Sequence, residues 1–261
     1  MNEVRIGLLG MADNEATPIL CDELAKLGVN LDAIFLLKPN FKTQRQRLIR
    51  KIKSAGVVAT VKRIKYALLR AKDSGLQPDK ESPFSTTYFH TVSDFNEPEA
   101  QELIRKADLD LLLLHTDTII KRATFTIPRI GCLNAHPGWL PMFRGLGSTA
   151  SMLRDGYIPA ITAHFINEGI DTGPVILRKM IPVEASTGGE DAEALWISQA
   201  ALIFQEVIQI IREGKLSLID TFLEPSSMTR GISSTETEYL QKKVRENPNI
   251  LIPIPSKFVR G

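Results

Sequence analysis

The chain has 261 residues, 43% of them hydrophobic and 24% charged, with a formal net charge of +2. That composition reads as an ordinary soluble globular protein with one large α/β domain, or one domain and a modest appendage. No uninterrupted apolar run approaches the roughly 18 to 20 residues that a membrane span needs, so no membrane span is expected.

The first residues, Met1-Asn-Glu-Val-Arg-Ile, have no basic stretch followed by an apolar one, so they do not read as a secretory signal. Val4–Leu9 reads as a buried strand, Thr17–Leu27 as a helix and Val29–Leu37 as a second strand, a βαβ opening that favours a parallel sheet. Its first turn offers only Gly7 and Gly10. A dinucleotide fingerprint needs three glycines in Gly-x-Gly-x-x-Gly, so a nicotinamide enzyme is disfavoured.

Residues 41–72 read as helical, interrupted at Gly56. Between Lys42 and Lys72 there are eleven Lys and Arg and no Asp or Glu, which leaves −9 for the rest of the chain. Apolar Leu48, Ile52, Val61 and Leu68 lie among these charges. The simplest reading is a helical insertion, about 41–75, that docks its apolar side and solvates its charges. The alternatives are a membrane surface or a nucleic acid as partner.

Residues 74–85 form a polar loop. Thr86–Thr91 is expected as a short strand, Pro98–Ala107 as a helix and Leu109–Leu114 as a central sheet strand. Two further strands follow, ending near His136 and spanning Ile158–Ile166. After them come a strand over Val175–Val183 and a helix from about 189 to 213. Beyond Lys215 the signal thins to a short piece at Leu216–Leu223, a helix near Glu236–Glu246 and a Pro-punctuated tail. The expected division is therefore a domain over 1–214 and a short extension over 215–261, the latter completing an acceptor pocket or a homodimer contact. Cys21 and Cys132 suggest no disulfide framework, and no Cys/His cluster has zinc spacing, so no metal is expected and a reducing cytoplasm is the expected location.

The chemistry concentrates in residues 131–173. Asn134 and His136 sit two apart at the end of an apolar run, so both side chains leave one strand face. Asp171 follows on a turn after the next strand. Acyl transfer to an amine needs a donor for the developing oxyanion, removal of a proton from the nucleophile and delivery of one to the leaving group. An amide, an imidazole and a carboxylate can supply these, and none must itself be the nucleophile. Taken singly, Asn134 could be a turn residue, His136 a satisfied structural histidine and Asp171 part of an Asx turn. His164 either supports Asp171 or is simply buried, while His90 and His115 read as structural. Arg144 could hold a substrate anion or close a salt bridge under its loop. The Gly145-Leu-Gly147-Ser148 segment could offer main-chain N–H groups to an anion, and it lacks the nucleophile-elbow pattern of serine hydrolases.

Asn134-x-His136-Pro, then Leu-Pro-x-Phe-Arg-Gly145, then His164-Phe-Ile-x-Glu-Gly-Ile-Asp171-Thr-Gly-Pro174 resembles the folate-dependent formyltransferase family. The match is specific from about Asp108 to Val183 and looser elsewhere. The resemblance implies a Rossmann-like, mostly parallel sheet flanked by helices, with 10-formyltetrahydrofolate as formyl donor and an amine as acceptor. It implies Asn134, His136 and Asp171 as the catalytic residues. It would lay the pterin between Asp117, Thr118, Ile119 and Ile120 on one side and Asn167, Glu168, Gly169 and Ile170 on the other. Gly138, Trp139, Leu140 and Pro141 stand where many members carry Ser-Leu-Leu-Pro beside the donor. Three departures bear on the acceptor. The stretch Gly10-Met-Ala-Asp-Asn-Glu15 puts two acids where glycinamide ribonucleotide enzymes bind phosphate. Fewer than fifty residues follow Lys215, too few for the β-barrel of methionyl-tRNA enzymes, and no regulatory domain precedes the first strand as in the hydrolases. The expectation is a small-molecule amine, a nucleotide-linked amino sugar, with Arg144 and Gly145 as substrate contacts. An RNA-linked or lipid-linked amine guided by 41–72, or a folate-binding protein without catalysis, are the alternatives.

Overall fold

The computed structural model describes residues 3–12, 16–38, 87–187, 192–222, 224–229 and 231–255; the basic stretch 41–75 and the loop 74–85 lie outside them. The described strands build one sheet. They are β1 (Ile6–Met11), β2 (Ala33–Leu37), β3 (Tyr88–Val92), β4 (Leu111–Leu114), β5 (Gly131–His136), β6 (Ala160–Phe165) and β7 (Val175–Met180). Their order is β3-β2-β1-β4-β5-β6-β7, parallel from β3 through β5, with β6 antiparallel to both of its neighbours, β5 and β7. This is the mostly parallel Rossmann-like sheet the sequence implied.

The helices divide between the two faces because β1 and β4 are apolar on both. Ile6, Leu8, Leu111 and Leu113 face one side, where α1 (Ala16–Lys26) and the long α5 (Ala192–Arg212) bring Leu20, Leu24, Phe204 and Val207. Leu9, Met11, Leu112 and Leu114 face the other, against Phe95, against Ile104 of α2 (Pro98–Lys106) and against Phe125 of α3 (Arg122–Phe125). Burying each such leucine stabilises the fold by about 1.5–3 kcal/mol. α4 (Ser148–Arg154) and α6 (Ser234–Glu246) pack beside one another at the β6–β7 end.

Several expected strands are shorter than predicted, and at two of them the reason is local. α1 ends on Gly28 at φ 74°, with the Val29 N–H donating to the Leu24 carbonyl at 2.9 Å, so the first residues of the expected Val29–Leu37 strand are spent on the helix terminus. β7 stops at Met180 because Pro182 offers no N–H to a ladder, and Val183–Ser186 turns into a 3₁₀ helix. Of the expected piece at Leu216–Leu223, the described residues 216–222 form no strand and meet the sheet at one bridge, Val175 to Ile219. Cys21 and Cys132 are free and buried.

Candidate active site

Asn134 and His136 occupy the carboxyl end of β5, and antiparallel pairing with β6 sets His164 directly opposite Asn134. The loop that follows β6 folds back on the sheet, the Phe165 N–H donating to the Pro174 carbonyl at 2.9 Å and the Ile166 N–H to the Cys132 carbonyl at 3.0 Å. That return delivers Asp171, at φ 51°, a left-handed conformation that aspartate tolerates better than most residues. The four side chains meet. His136 Nδ1 lies 3.3 Å from Asp171 Oδ2, His164 Nε2 lies 3.7 Å from Asp171 Oδ1, and Asn134 Nδ2 lies 3.1 Å from His164 Nε2.

Hydrogen bonds assign the protons. His164 Nδ1–H donates to the Phe165 carbonyl at 2.9 Å, so its Nε2 is bare and accepts from the Asn134 amide. One Asn134 N–H is used in this way and the second is left to donate elsewhere. Burial, reinforced by the neighbouring His136, pushes His164 down to about 4, which keeps it neutral in this role. His136 is different. Its Nε2 lies 2.7 Å from the Phe143 carbonyl while Nδ1 faces the Asp171 carboxylate. Both partners are acceptors, so a neutral ring satisfies only one of them, whereas a protonated ring satisfies both. Burial lowers its proton affinity, while Asp171 and the Phe143 carbonyl pull the other way; the net direction is downward. Asp171 Oδ2 also accepts from the Gly145 N–H at 2.8 Å. The set can therefore donate to an oxyanion through Asn134 and take or return a proton through the Asp171–His136 pair.

The loops expected to hold a flat donor are linked to one another. Arg122, at the start of α3, pairs with Glu168 across the gap between them. Asn96 Nδ2 donates to the Ile119 carbonyl at 3.0 Å, and Asn167 Oδ1 accepts from the Gly169 N–H and the Thr172 hydroxyl. Ile119 and Ile170 stand 72% and 52% exposed on the two loops, while Ile120 is buried in the core. Thr118 N–H donates to Thr116 Oγ1 at 3.1 Å, and Asp117 sits on the same exposed turn.

Gly138 packs so tightly that a Cβ there would come 3.0 Å from His136 Nε2 and 2.8 Å from Ser148 Cβ. Trp139 and Leu140 are buried, and Pro141 follows a cis peptide. Any donor contact by Trp139 or Leu140 is thus through main chain, since the indole packs with Phe143, Met152 and Ile254 and lies 4.7 Å under the Arg178 guanidinium. Arg144 makes no ion pair among the described residues, and its buried Nε has no hydrogen-bond partner. His90 stacks on Phe35 and His115 lies beside Trp196, each away from the cluster.

Sequence reasoning missed Phe143, Arg178, Glu224 and Thr229. Arg178 of β7 pairs with Glu224 at 2.5 and 3.0 Å and donates to the Leu140 carbonyl at 2.9 Å. Thr229 donates to the Arg144 carbonyl. These contacts join positions 38 to 85 residues apart, and no local pattern marks them.

Residues 34–208 match the family described as formyl transferase. The methionyl-tRNA formyltransferase of Carboxydothermus hydrogenoformans is 28% identical over 175 residues, which is 64% of this chain and 56% of that protein. Glycinamide ribonucleotide transformylase 1 from Symbiobacterium toebii superposes with a TM-score of 0.53 at 20% identity, covering 82% of this chain and 90% of that one. A sugar N-formyltransferase from a Shewanella species gives a TM-score of 0.53 at 12% identity, covering 92% and 87%. These two structural likenesses establish a shared fold. The chain spans about half the length of the curated relatives it matches.

Proposed function

This chain belongs to the formyl transferase family, and on that premise we propose that it transfers a formyl group from 10-formyltetrahydrofolate to the primary amine of a nucleotide-linked amino sugar. The observation that carries the reading is the convergence of Asn134, His136 and Asp171 at the end of β5, within 3.3 Å for the His–Asp pair.

The site's surroundings fit the donor. Exposed Ile119 and Ile170 give apolar surface on two loops joined by Arg122 and Glu168, which suits a flat heteroaromatic ring held largely against main chain. When bound, 10-formyltetrahydrofolate supplies a formyl group already activated on nitrogen. Asn134 uses its second N–H on the formyl oxygen as negative charge develops there; removing such a donor costs about 10²–10³ in rate. Asp171 Oδ1, 3.7 Å from the bare His164 Nε2, is the carboxylate oxygen turned away from Gly145, and it accepts the proton of the attacking amine. His136, which with the Gly145 N–H faces the other oxygen, Oδ2, holds the carboxyl in place while Oδ1 carries that proton. Return of the proton to the departing nitrogen restores the starting state.

The amino-sugar acceptor is supported by the sequence at residues 10–15, which carries two acids, Asp13 and Glu15, where glycinamide ribonucleotide enzymes have a phosphate-binding stretch. It is also supported by Arg144, next to the Gly145 that donates to Asp171, which makes no ion pair among the described residues and can hold an anion. A second reading, an RNA-linked amine, is favoured by the basic run Lys42–Lys72 and by the methionyl-tRNA name of the relatives. Incubation with 10-formyltetrahydrofolate, a panel of amino-sugar nucleotides and aminoacylated tRNA, followed by mass spectrometry, separates the two. We expect one amino-sugar nucleotide to gain a formyl group, and Asn134→Ala to lower that rate about 10²–10³-fold. Formylation of the tRNA alone selects the second reading. Absence of folate binding overturns both.

A further inference from the structure

The segment 224–229 crosses over the loop that follows β5 and binds it by main chain. Arg144 N–H donates to the Ser227 carbonyl at 3.0 Å, and Thr229 N–H donates to the Arg144 carbonyl at 2.7 Å. The Thr229 hydroxyl lies 2.6 Å from that same carbonyl and 3.0 Å from the Leu146 carbonyl. The Arg144 carbonyl and the Gly145 N–H are opposite edges of one planar peptide unit, so fixing one edge fixes the other. The far edge of this unit points at the reaction centre: Gly145 N–H donates to Asp171 Oδ2 at 2.8 Å.

We propose that Thr229 is a positioning residue for Asp171. Its two donors hold the Arg144 carbonyl, set the rotation of the Arg144–Gly145 peptide, and so aim the N–H that keeps the carboxylate beside His136. The unit needs such a hold. Gly145 sits at φ 86° without a Cβ, which leaves the peptide soft to rotation. Ser148 cannot substitute, because its hydroxyl donates to the Gly145 carbonyl, which belongs to the next peptide. Donors on a carbonyl also polarise its own N–H and strengthen the bond that N–H makes. The inference rests on the role proposed above for Asp171.

The test reads the geometry independently of turnover. His136 is faced by Asp171, by the Phe143 carbonyl and by the edge of His164, with ring centroids 6.2 Å apart. Asp171 is the one of these that draws a proton onto its Nδ1. Thr229→Val removes the hydroxyl at nearly constant shape, Thr229→Ala removes it without the branch, and Thr229→Ser retains it. The nitrogen resonances of the His136 ring are followed against pH in the intact protein. We expect His136 in Thr229→Val and Thr229→Ala to titrate about half a pH unit lower than in the parent, a differential of about 0.7 kcal/mol. Thr229→Ser should return it to the parent value. Formyl transfer should fall about tenfold in kcat, with KM for the amine changed less than about twofold, since loss of alignment acts on the chemical step. An unchanged His136 midpoint in both hydroxyl-less variants overturns the inference, whatever happens to the rate. A shifted midpoint, restored by serine, in a protein that transfers no formyl group sustains the positioning role and removes the proposed reaction instead.

Discussion

His136 and His164 are close enough to share one carboxylate, yet their hydrogen bonds give them opposite duties. His164 donates from Nδ1 and must stay neutral to accept from Asn134, whereas His136 gains when it is protonated. This division has a consequence for stability. Burial pushes His164 down to about 4 and moves His136 in the same direction, below the ordinary histidine range. Between that ordinary range, near pH 6.5, and about pH 4, the unfolded chain therefore binds protons that the native state refuses. Stability is full above the ordinary histidine value and is lost as pH falls through the window, with a slope of up to about 1.4 kcal/mol per pH unit for each group. Below about pH 4, His164 is protonated in both states and its contribution to the slope vanishes. Urea unfolding at pH 7.5, 6 and 5 should show this decline, and His164→Asn should make it shallower; an equal slope in the variant would contradict the assignment. The i, i+2 spacing of Asn134 and His136 made their shared face legible from sequence alone. His164 was ambiguous there because its value depends on pairing register, which only the antiparallel turn of β6 decides.

Among the elements, β5 with the loop behind it is held from two directions. α4 and the sheet support it from within, and the chain after α5 crosses it from outside through Glu224, Ser227 and Thr229. Arg178 is the joint between them. Its side chain and that of Glu224 are 2% and 3% exposed, and the guanidinium covers the Trp139 ring while donating to the Leu140 carbonyl. A buried pair of this kind is weak evidence of net stabilisation, but removing one partner strands the other charge at a cost of about 3–5 kcal/mol. Glu224→Ala should accordingly lower the unfolding free energy by about that amount in urea titrations. Arg178→Met with Glu224→Leu should cost less than the single change, because neither member of this pair is left buried without the other. A double variant worse than Glu224→Ala would mean that the hydrogen bond to Leu140 matters more than the ion pair. The helices and strands of this region were readable: α5 by its long apolar periodicity, β6 and β7 by their apolar runs. The joint was not, since Arg178 and Glu224 are 46 residues apart and each looks like an ordinary surface charge in its own segment.

At the scale of the whole molecule the sheet order and the charge distribution act separately. Apolar β1 and β4 could be read as buried on both faces, and with them the two-sided packing of helices. The antiparallel turn at β6 could not, because strand direction leaves no trace in residue type, although it is this turn that returns Asp171 to His136. The charge, by contrast, is entirely a sequence property. A run of eleven cations sits in a chain that is otherwise −9. Such asymmetry steers anions, and the steepness of its salt dependence reports the size of the anion. A sugar nucleotide presents a compact diphosphate and no condensed counterion atmosphere, so screening alone weakens its capture. An RNA acceptor engaging six to ten phosphates would lose about 10³–10⁵ in affinity between 50 and 200 mM salt. For the amino-sugar reaction proposed here, kcat/KM measured across that same range of about 50–200 mM should fall less than about tenfold, as screening of a few charges requires. A fall of a thousandfold would transfer the weight of the functional reading to the basic run and to a polyanionic acceptor, leaving Asn134, His136 and Asp171 with the same chemistry on a different amine.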